Sequence, residues 1–256
     1  RVVAQDGVID MAKRDGRLWL LRQGERPNQA EAAQWLDGRF QALPHLTAPF
    51  GAGILALLVG RDGPVILTSR AVISWSPTAR KWITTRLKGR LRADAANVTT
   101  MPAAANDIYI GLDLGEWGGG LQRIDGDTGA VTEVESTQKG ADKEELLSHS
   151  LDPVTGLLPD PDDGACVLAS TGLSHMGFTN GRLLKVCRGR VSPALEIPFA
   201  IEVNDRSIPQ STPFFGMARG RAGQVWLVSY GVLYRLSSPS DAHPAKIDLP
   251  TLKLDI

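Results

Sequence analysis

The most specific chemical signal in the sequence is a carboxylate beside an indole, Glu116 and Trp117, enclosed by glycines at 115, 118, 119 and 120. Glycine tolerates positive φ and lets other backbone approach closely, so this segment predicts a tight turn. An indole is costly to leave in water. We therefore expect Trp117 to contact a ligand or a neighbouring loop, the alternative being that it caps its own pair of strands.

Histidine could supply acid–base or metal chemistry, and the chain has four, His45, His149, His175 and His243. None has a partner at zinc-ligand spacing, which argues against a zinc site. His175, in TGLSHMGF, is a candidate general base, although a lone histidine is more often a surface residue. A Ser-His-Asp triad stays open because its members need only be neighbours in space, but no G-x-S-x-G elbow is present.

Acidic residues alternate in Asp125-Gly126-Asp127-Thr128-Gly129, which raises the question of calcium. An EF-hand loop would need a carboxylate eleven residues after Asp125, where Ser136 stands. We therefore predict an ordinary turn initiated by Asp125. The acidic run PDPDDG, residues 159–164, likewise predicts a polar turn before a strand.

The two cysteines bracket an apparent hairpin, in which ACVLAS runs out and RLLKVC returns. An antiparallel register that pairs Ser170 with Leu183 also places Cys166 opposite Cys187. A cross-strand disulfide is then geometrically reasonable, with two buried free thiols as the alternative. A disulfide would imply an oxidising compartment such as a periplasm.

Composition excludes some classes of partner. Lys plus Arg number 28, as do Asp plus Glu, so no net field attracts nucleic acid. The longest apolar stretch, residues 48–60, is shorter than the roughly 20 residues needed to cross a bilayer, so we predict no membrane span there. The basic run from Arg80 to Arg92 predicts a solvated strand and loop face, with a patch for an anionic partner as the alternative.

The candidate residues lie on a pattern that recurs along the chain: a turn, an apolar strand, a second turn and another apolar or aromatic strand. The five segments are Asp15 to Pro44, Arg61 to Leu87, Asn106 to Val134, Gly164 to Val191 and Gly223 to Leu249. The equivalent first-strand positions are Trp19, Ile66, Tyr109, Val167 and Trp226. Their spacings of about 43 to 59 residues are typical of four-stranded propeller blades with variable loops.

These repeats predict an all-β chain: a single β-propeller domain over residues 1–256, with about five four-stranded blades. The strand-like termini, Val2 to Met11 and Lys246 to Ile256, are expected to close the ring by pairing with each other's blade. Helical signals are scarce. They predict one short helix at Lys139 to Ser148 and a helical turn at Asn28 to Leu36. The long connection from Ser192 to Phe214 predicts additional strand structure.

One repeat resembles a known family. Residues 106–134 read NDIYIGLDLGEWGGGLQRIDGDTGAVTEV and resemble two-component regulator propeller repeats, or kelch-like repeats. The shared features are an aromatic-Ile-Gly strand, a Gly-Gly-Gly-Leu turn and an Asp before Thr-Gly. The chain is also similar to uncharacterised exported bacterial propeller proteins with a GEWGGGL segment followed by a Cys-containing hairpin. These resemblances imply the fold and a periplasmic or secreted location, but no reaction.

In such a blade, the turns between the second and third strands surround one mouth of the propeller. The residues expected there are Arg22, Arg70, Glu116, Trp117, His175 and Tyr230. Oriented polar groups against aromatic walls suit a ligand-binding opening.

We therefore expect an exported binding module that recognises a protein, peptide or small ligand at this loop face, without a cofactor. One alternative is a metal-dependent hydrolase, because propeller lactonases hold a cation with Glu, Asn and Asp; here Glu116, Asn204 and Asp205 could bind Ca²⁺. The other is a structural subunit of a cell-envelope complex that uses the blade edges.

Overall fold

The computed structural model describes residues 7–26, 28–49, 51–93, 97–103, 106–134 and 146–250, except for the side chain of Ala222. Nearly all regular structure in these ranges is antiparallel β-sheet, with 3₁₀ turns such as Gly115–Trp117. None of the helical segments in the described ranges has the length and apolarity needed to cross a membrane.

The first two sheets are meanders, in which strands lie side by side in chain order. Sheet 1 contains β1 (Val8–Arg14), β2 (Arg17–Gln23), β3 (Gln29–Leu36) and β4 (Arg39–Ala42), with the short β5 (Leu46–Thr47) also paired to β3. Sheet 2 contains β6 (Ile54–Val59), β7 (Pro64–Thr68), β8 (Ala71–Ser76) and β9 (Lys81–Arg86).

Three further four-stranded meanders and one separate hairpin follow. Sheet 3 contains β10 (Asn97–Pro102), β11 (Asp107–Asp113), β12 (Gly119–Asp125) and β13 (Val131–Val134). Sheet 4 contains β14 (Val154–Pro159), β15 (Cys166–His175), β16 (Phe178–Cys187) and β17 (Arg190–Leu195). The hairpin pairs β18 (Pro198–Val203) with β19 (Arg206–Ser211), and sheet 5 contains β20 (Gly216–Arg219), β21 (Val225–Ser229), β22 (Val232–Leu236) and β23 (Ala245–Asp248).

The five aligned positions of the repeat each lie on the second strand of a four-stranded sheet. Trp19, Ile66, Tyr109 and Val167 are buried. In β21 the buried residues are instead Val225 and Leu227, which flank Trp226. Because side chains alternate between the two faces of a strand, the apolar face of β21 is shifted by one residue from the alignment.

The described residues form two compact units. Unit 1 takes its residues from Arg1–Asp94, Asn106–Ile108 and Ile124–Val131, and unit 2 from Ala95–Ala105, Tyr109–Arg123 and Thr132–Ile256. A single domain over residues 1–256 stays a prediction.

The core of unit 1 lies between sheets 1 and 2. Its buried residues are Trp19, Leu21, Ala30, Ala32, Leu46, Leu57, Val59, Ile66, Ala71 and Ile73. Polar contacts connect the facing strands: Asp10 Oδ2 accepts a hydrogen bond from the Leu57 amide at 2.7 Å, and Arg14 donates to the Val59 carbonyl at 3.1 Å. Apolar burial therefore holds the two sheets together, and the polar contacts align them.

Unit 2 has two apolar cores. One is built around Tyr109, Leu121, Val134, Leu147, Val154, Leu157, Val167, Ala169, Leu184 and Val186, and the other around Leu168, Leu183, Leu195, Phe214, Val225, Leu227 and Leu236. Successive sheets approach closely where one of them carries glycine. A Cβ at Gly111 would lie 2.5 Å from Val154 Cγ1, and one at Gly156 would lie 3.0 Å from Met217 Cγ.

The predicted disulfide is confirmed. Cys166 and Cys187 are bonded, and their Cα atoms lie 4.3 Å apart. The strands β15 and β16 pair with Ser170 opposite Leu183 and Cys166 opposite Cys187, which is the predicted register. The bond closes one end of a hairpin whose other end is His175 opposite Phe178.

A buried ion pair lies beside the disulfide. The carboxylate of Asp160 is fully buried, and its Oδ2 lies 2.6 Å from Nζ of Lys185 on β16. Asp160 also caps the turn, since its Oδ1 accepts a hydrogen bond from the Asp162 amide at 2.9 Å. The predicted polar turn in residues 159–164 thus contains a carboxylate that is neither exposed nor free.

The structure contradicts one prediction of local structure and adds detail to another. The helical turn at Asn28 to Leu36 is wrong: Gln29–Leu36 is β3, because alternate residues Ala30 and Ala32 are buried in the core. The β18–β19 hairpin was not foreseen in detail. Its turn residues Asn204 and Asp205 have φ of 49° and 58°, the left-handed values that suit two-residue hairpins.

Other predictions fall outside the described residues. Most of the helix predicted at Lys139 to Ser148 falls outside the described residues. The outer parts of both terminal segments, residues 1–6 and 251–256, fall outside them as well. The described parts, β1 and β23, pair within their own sheets. Closure by terminal pairing stays a prediction.

Replacing both cysteines by alanine should lower the free energy of unfolding by about 3 kcal/mol, because the bond closes a loop with a sequence separation of 21. Chemical denaturation with and without reductant checks this. Wild type should lose stability on reduction and the double variant should not. An intact mass two hydrogens below that of the reduced protein would confirm the bond. Equal stability of wild type and double variant, each with and without reductant, would contradict its stabilising role.

Replacing Lys185 by Met should destabilise the fold by about 1–3 kcal/mol, because Asp160 is left as a buried carboxylate without its cation. The hydrogen bond to Asp160 raises the pKa of Lys185 above 10.5, so its contribution is present at neutral pH and is lost as pH rises past that value. The stability difference between wild type and Lys185→Met, measured by denaturation from pH 7 to 11.5, should therefore shrink at the alkaline end. Lys246→Met is the control, since Lys246 pairs with Asp248 on the exposed β23.

Candidate functional site

Unit 2 contains a groove of about 380 Å³ where strand ends from sheets 3, 4 and 5 meet. Its lining is formed by Asp113, Gly115, Glu116, Thr155, Gly172, Leu173, Ser174, His175 and Phe215. Asp113 ends β11, Gly172 to His175 end β15, and Phe215 directly precedes β20. The groove therefore lies where the β11–β12 and β15–β16 turns adjoin the starts of β14 and β20.

Hydrogen bonds within the GEWGGG segment hold one wall of the groove. Asp113 Oδ1 accepts from the Gly115 amide at 2.8 Å, and the Leu114 amide donates to the Gly118 carbonyl at 2.9 Å. Gly119 has φ of 139°, and a Cβ there would lie 1.9 Å from the Leu112 carbonyl oxygen. No other residue fits this position, so glycine is a steric requirement of the turn.

The same segment rests on residues 148–152. The amides of Gly119 and Gly120 donate to the carbonyls of His149 and Asp152 at 2.9 and 2.8 Å. Asp152 is itself buried, and its Oδ2 accepts from the Ser148 amide at 2.8 Å. The turn that carries Glu116 and Trp117 is thus a rigid platform, because its backbone is bonded on both sides.

Glu116 and His175 form the polar centre of the groove. Oε2 of Glu116 lies 2.8 Å from Nδ1 of His175, and the two side chains are 41% and 48% exposed. A carboxylate that accepts from Nδ1 orients the imidazole and leaves Nε2 to meet a ligand. The pair can therefore hydrogen-bond a polar group in the groove or accept a proton from it.

Large apolar side chains are exposed on the turns that adjoin the groove, and one of them, Phe215, lines it. Those that are strongly exposed are Trp117 (74%), Leu151 (61%), Met176 (85%), Phe178 (55%), Phe215 (38%) and Tyr230 (61%). We call these six residues the apolar rim. The exposure of Trp117 contradicts the expectation that it caps its own strands, and also the expectation that a neighbouring loop covers it.

The remaining predicted site residues are divided between the units. In unit 2, Tyr230 packs edge-on against Phe215, with ring centroids 4.7 Å apart, and so adjoins the groove. In unit 1, Arg22 is ion-paired with Glu31, and Arg70 lies in the turn between β7 and β8. A single ring of all six residues stays a prediction.

The candidate cation ligands are placed as follows. Glu116 is engaged by His175, whereas Asn204 and Asp205 form the exposed turn of the β18–β19 hairpin. In the described residues, the group of potential metal ligands that lie close together is Asp163, Cys166 and Cys187, but both sulfurs are in the disulfide. Binding of Ca²⁺ by Glu116, Asn204 and Asp205 stays a prediction.

The turn at Asp125 is confirmed as a turn. Its Oδ1 accepts hydrogen bonds from the amides of Asp127 and Thr128 at 3.1 and 2.8 Å. The carboxylate therefore caps its own backbone, as an aspartate at the start of a turn usually does.

Among the groove residues that the sequence did not identify as binding residues are Asp113, Thr155 and Phe215. Asp113 ends a strand that was predicted, so the pattern of turns could have found it, whereas Phe215 precedes β20, which lies between the fourth and fifth predicted segments. Thr155 could not be found in this way. It lies on β14, and its hydroxyl donates to the Phe214 carbonyl at 2.5 Å, a contact between residues 59 positions apart.

No family model matches the sequence, and no curated protein is significantly similar to it. Among solved structures, the chain is similar to a streptogramin B lyase, with a TM-score of 0.54, 14% identity, and alignment over 98% of this chain and 71% of the lyase. It is similar to a protein of unknown function from Desulfotomaculum acetoxidans, with a TM-score of 0.55, 11% identity, and alignment over 96% and 71% of the two chains.

A third match is the extracellular domain of a one-component system from B. thetaiotaomicron, with a TM-score of 0.43 and 13% identity. The alignment covers 87% of this chain and 32% of the B. thetaiotaomicron chain. The streptogramin B lyase and the Desulfotomaculum acetoxidans protein are of the propeller type, so the chain has an all-β, propeller-type fold. Identities this low establish a shared fold and no shared activity.

Gly119→Ala should destabilise unit 2 by about 3 kcal/mol or more, because the added Cβ meets a backbone oxygen and the residue must hold a positive φ. Gly115→Ala is the matched control in the same turn. It also has a positive φ, 61°, but its Cβ would meet nothing within 4 Å, so it should cost only about 1 kcal/mol. Urea denaturation of both variants measures the difference, and equal losses would contradict the steric argument.

Proposed function

We propose that the chain is an exported β-propeller of five four-stranded blades, closed into a ring, that binds a peptide or small ligand in the groove of unit 2. The observation that carries this proposal is a polar-centred groove whose adjoining turns carry the exposed side chains of the apolar rim. Recognition rather than chemistry is the function that this arrangement serves best.

The size and composition of the groove support binding. A volume of about 380 Å³ lies within the range of small-ligand sites, which run from roughly 300 to 1,000 Å³. Exposed aromatic side chains are typical of recognition surfaces, because they offer large contact area with little side-chain entropy to lose. Trp117 and Met176, on the neighbouring turns of sheets 3 and 4, are the most exposed members of the rim.

The polar centre supports selectivity. Glu116 and His175 are held at 2.8 Å from each other, so the direction of the imidazole is set before a ligand arrives. Asp113 accepts a hydrogen bond from Gly115 in the same wall. A ligand with apolar groups on either side of a hydrogen-bonding group, such as a short peptide, matches this pattern of a polar centre inside an apolar rim.

The export part of the proposal is supported by the disulfide. Disulfides persist in oxidising compartments and are rare in reducing ones, so the Cys166–Cys187 bond favours a periplasmic or secreted location. The hydrolase alternative is less well supported, because one oxygen of Glu116 already serves His175. A structural role in an envelope complex would not require a polar centre in the groove.

Trp117→Ala should weaken binding of a groove ligand about tenfold or more and leave the melting temperature nearly unchanged, because the indole is mostly exposed. The probes are peptides enriched from a phage-displayed library against the wild-type protein. Calorimetric titration of these peptides with wild type and variant measures the effect.

Trp35→Ala is the matched control. Trp35 is 37% exposed on β3 in unit 1, so its removal should leave peptide affinity within about twofold. Selected peptides that bind Trp117→Ala as tightly as wild type would overturn the proposed site. Unfolding of Trp117→Ala would show instead that the indole stabilises the blade.

A further inference from the structure

Unit 1 has a second concave surface, independent of the groove in unit 2. It has a volume of about 230 Å³ and is lined by Ser69, Arg70, Arg86, Leu87 and Gly89. Two of its five lining residues are arginines and none is acidic. Arginine presents several N–H donors in a planar fork that matches the oxygens of carboxylate, sulfate and phosphate groups.

The backbone that carries the two arginines is fixed. Ala71 and Arg86 are direct cross-strand partners, and the Leu87 amide donates to the Arg70 carbonyl at 2.9 Å. The turn before β8 is held by Thr68, whose hydroxyl oxygen accepts from the Ala71 amide at 2.9 Å. Both arginine stems therefore leave neighbouring positions of a paired ladder and line one pocket.

Backbone hydrogen bonds also hold the residues that follow Arg86. The Lys88 amide donates to the Gly129 carbonyl at 2.7 Å, and the Val131 amide donates to the Lys88 carbonyl at 3.0 Å. A Cβ at Gly129 would lie 2.1 Å from the Arg86 carbonyl oxygen, so this close contact requires glycine. The pocket is thus built on rigid backbone rather than on a loop that could rearrange.

The charge of the surrounding segment is one-sided. Residues 63–93 contain seven Lys or Arg and no Asp or Glu, whereas the whole chain has a net charge of zero. Arg70 and Arg86 line the pocket, whereas Lys81 begins β9 at the end away from it. A segment whose charges are all positive favours the approach of an anion.

Ser69 adds a neutral donor. Its Oγ accepts a hydrogen bond from the Gly53 amide at 3.2 Å, which leaves the hydroxyl hydrogen to donate to a ligand. The guanidinium of Arg70 lies about 3.8 Å from the point where a Cβ of Gly51 would stand, so a small residue faces it on that side.

We propose that this pocket is an oxyanion-binding site, in which Arg70, Arg86 and the Ser69 hydroxyl bind a sulfate, phosphate or carboxylate group. The same group is offered by a free inorganic oxyanion and by an acidic sugar, and the experiment separates these sources. The site takes its specificity from the geometry of the two arginines and its affinity from the one-sided charge of residues 63–93.

The test is calorimetric titration of the full chain with sodium sulfate at constant ionic strength, supported by melting temperatures in sulfate and in isoionic chloride. Wild type should bind sulfate and melt at a higher temperature in sulfate than in chloride. Arg86→Gln should weaken sulfate binding about tenfold or more, and Arg70→Gln together with Arg86→Gln should abolish it.

Lys81→Gln is the matched control, because it removes the same charge from the same strand at the end away from the pocket. It should change sulfate affinity by less than about twofold. Equal losses in Lys81→Gln and Arg86→Gln would overturn the site and leave only a diffuse field. The absence of any sulfate effect beyond that of chloride would overturn it as well.

Titration with inorganic phosphate and with glucose 6-phosphate distinguishes the sources. A tighter interaction with the sugar phosphate, lost in Arg86→Gln, assigns the pocket to an acidic sugar; equal affinities assign it to the free oxyanion. Peptide binding in unit 2 should be unchanged in Arg86→Gln, so failure of either proposal leaves the other intact.

Discussion

Burial of apolar side chains between the faces of successive sheets is the constraint on which each unit depends. Every four-stranded meander is antiparallel and presents alternate residues to its neighbour, as with Leu57 and Val59 in unit 1. A shift of one residue would move these side chains to the opposite face of the strand and out of the core that they share with sheet 1. The register of each sheet, and with it the position of each turn, therefore follows from the pattern of buried residues.

The candidate groove is formed by turns, because the strands have little conformational freedom. In unit 2, glycines 118, 119 and 120 let the wall of the groove lie directly on residues 148–152. The disulfide closes one end of the β15–β16 hairpin and His175 lies at the other. The polar centre of the groove is thus supported by hydrogen-bonded backbone on two sides, and under the proposed function this would reduce the entropy lost when a ligand binds.

The sequence predicted the sheets better than the site. Alternation and turn residues were sufficient to find the second strand of each of the five meanders, and the register of Ser170 with Leu183 also led to the disulfide. The pairing of Glu116 with His175 could not be predicted, because it joins turns of different sheets. The same holds for Asp160 and Lys185, whose ion pair depends on how a turn folds back over a strand. The helical turn at Asn28 to Leu36 failed because short apolar segments fit either period, and burial of Ala30 and Ala32 decided for a strand.

The turn at the end of the β15–β16 hairpin has a further consequence. Met176 and Gly177 have φ of 49° and 84°, and the side chain of Met176 is 85% exposed. What this position requires is a backbone conformation, not a particular side-chain chemistry. Mutations at such hairpin tips can change what the surface recognises without disturbing the cores, so lineages that share this scaffold can diverge in ligand while conserving their architecture.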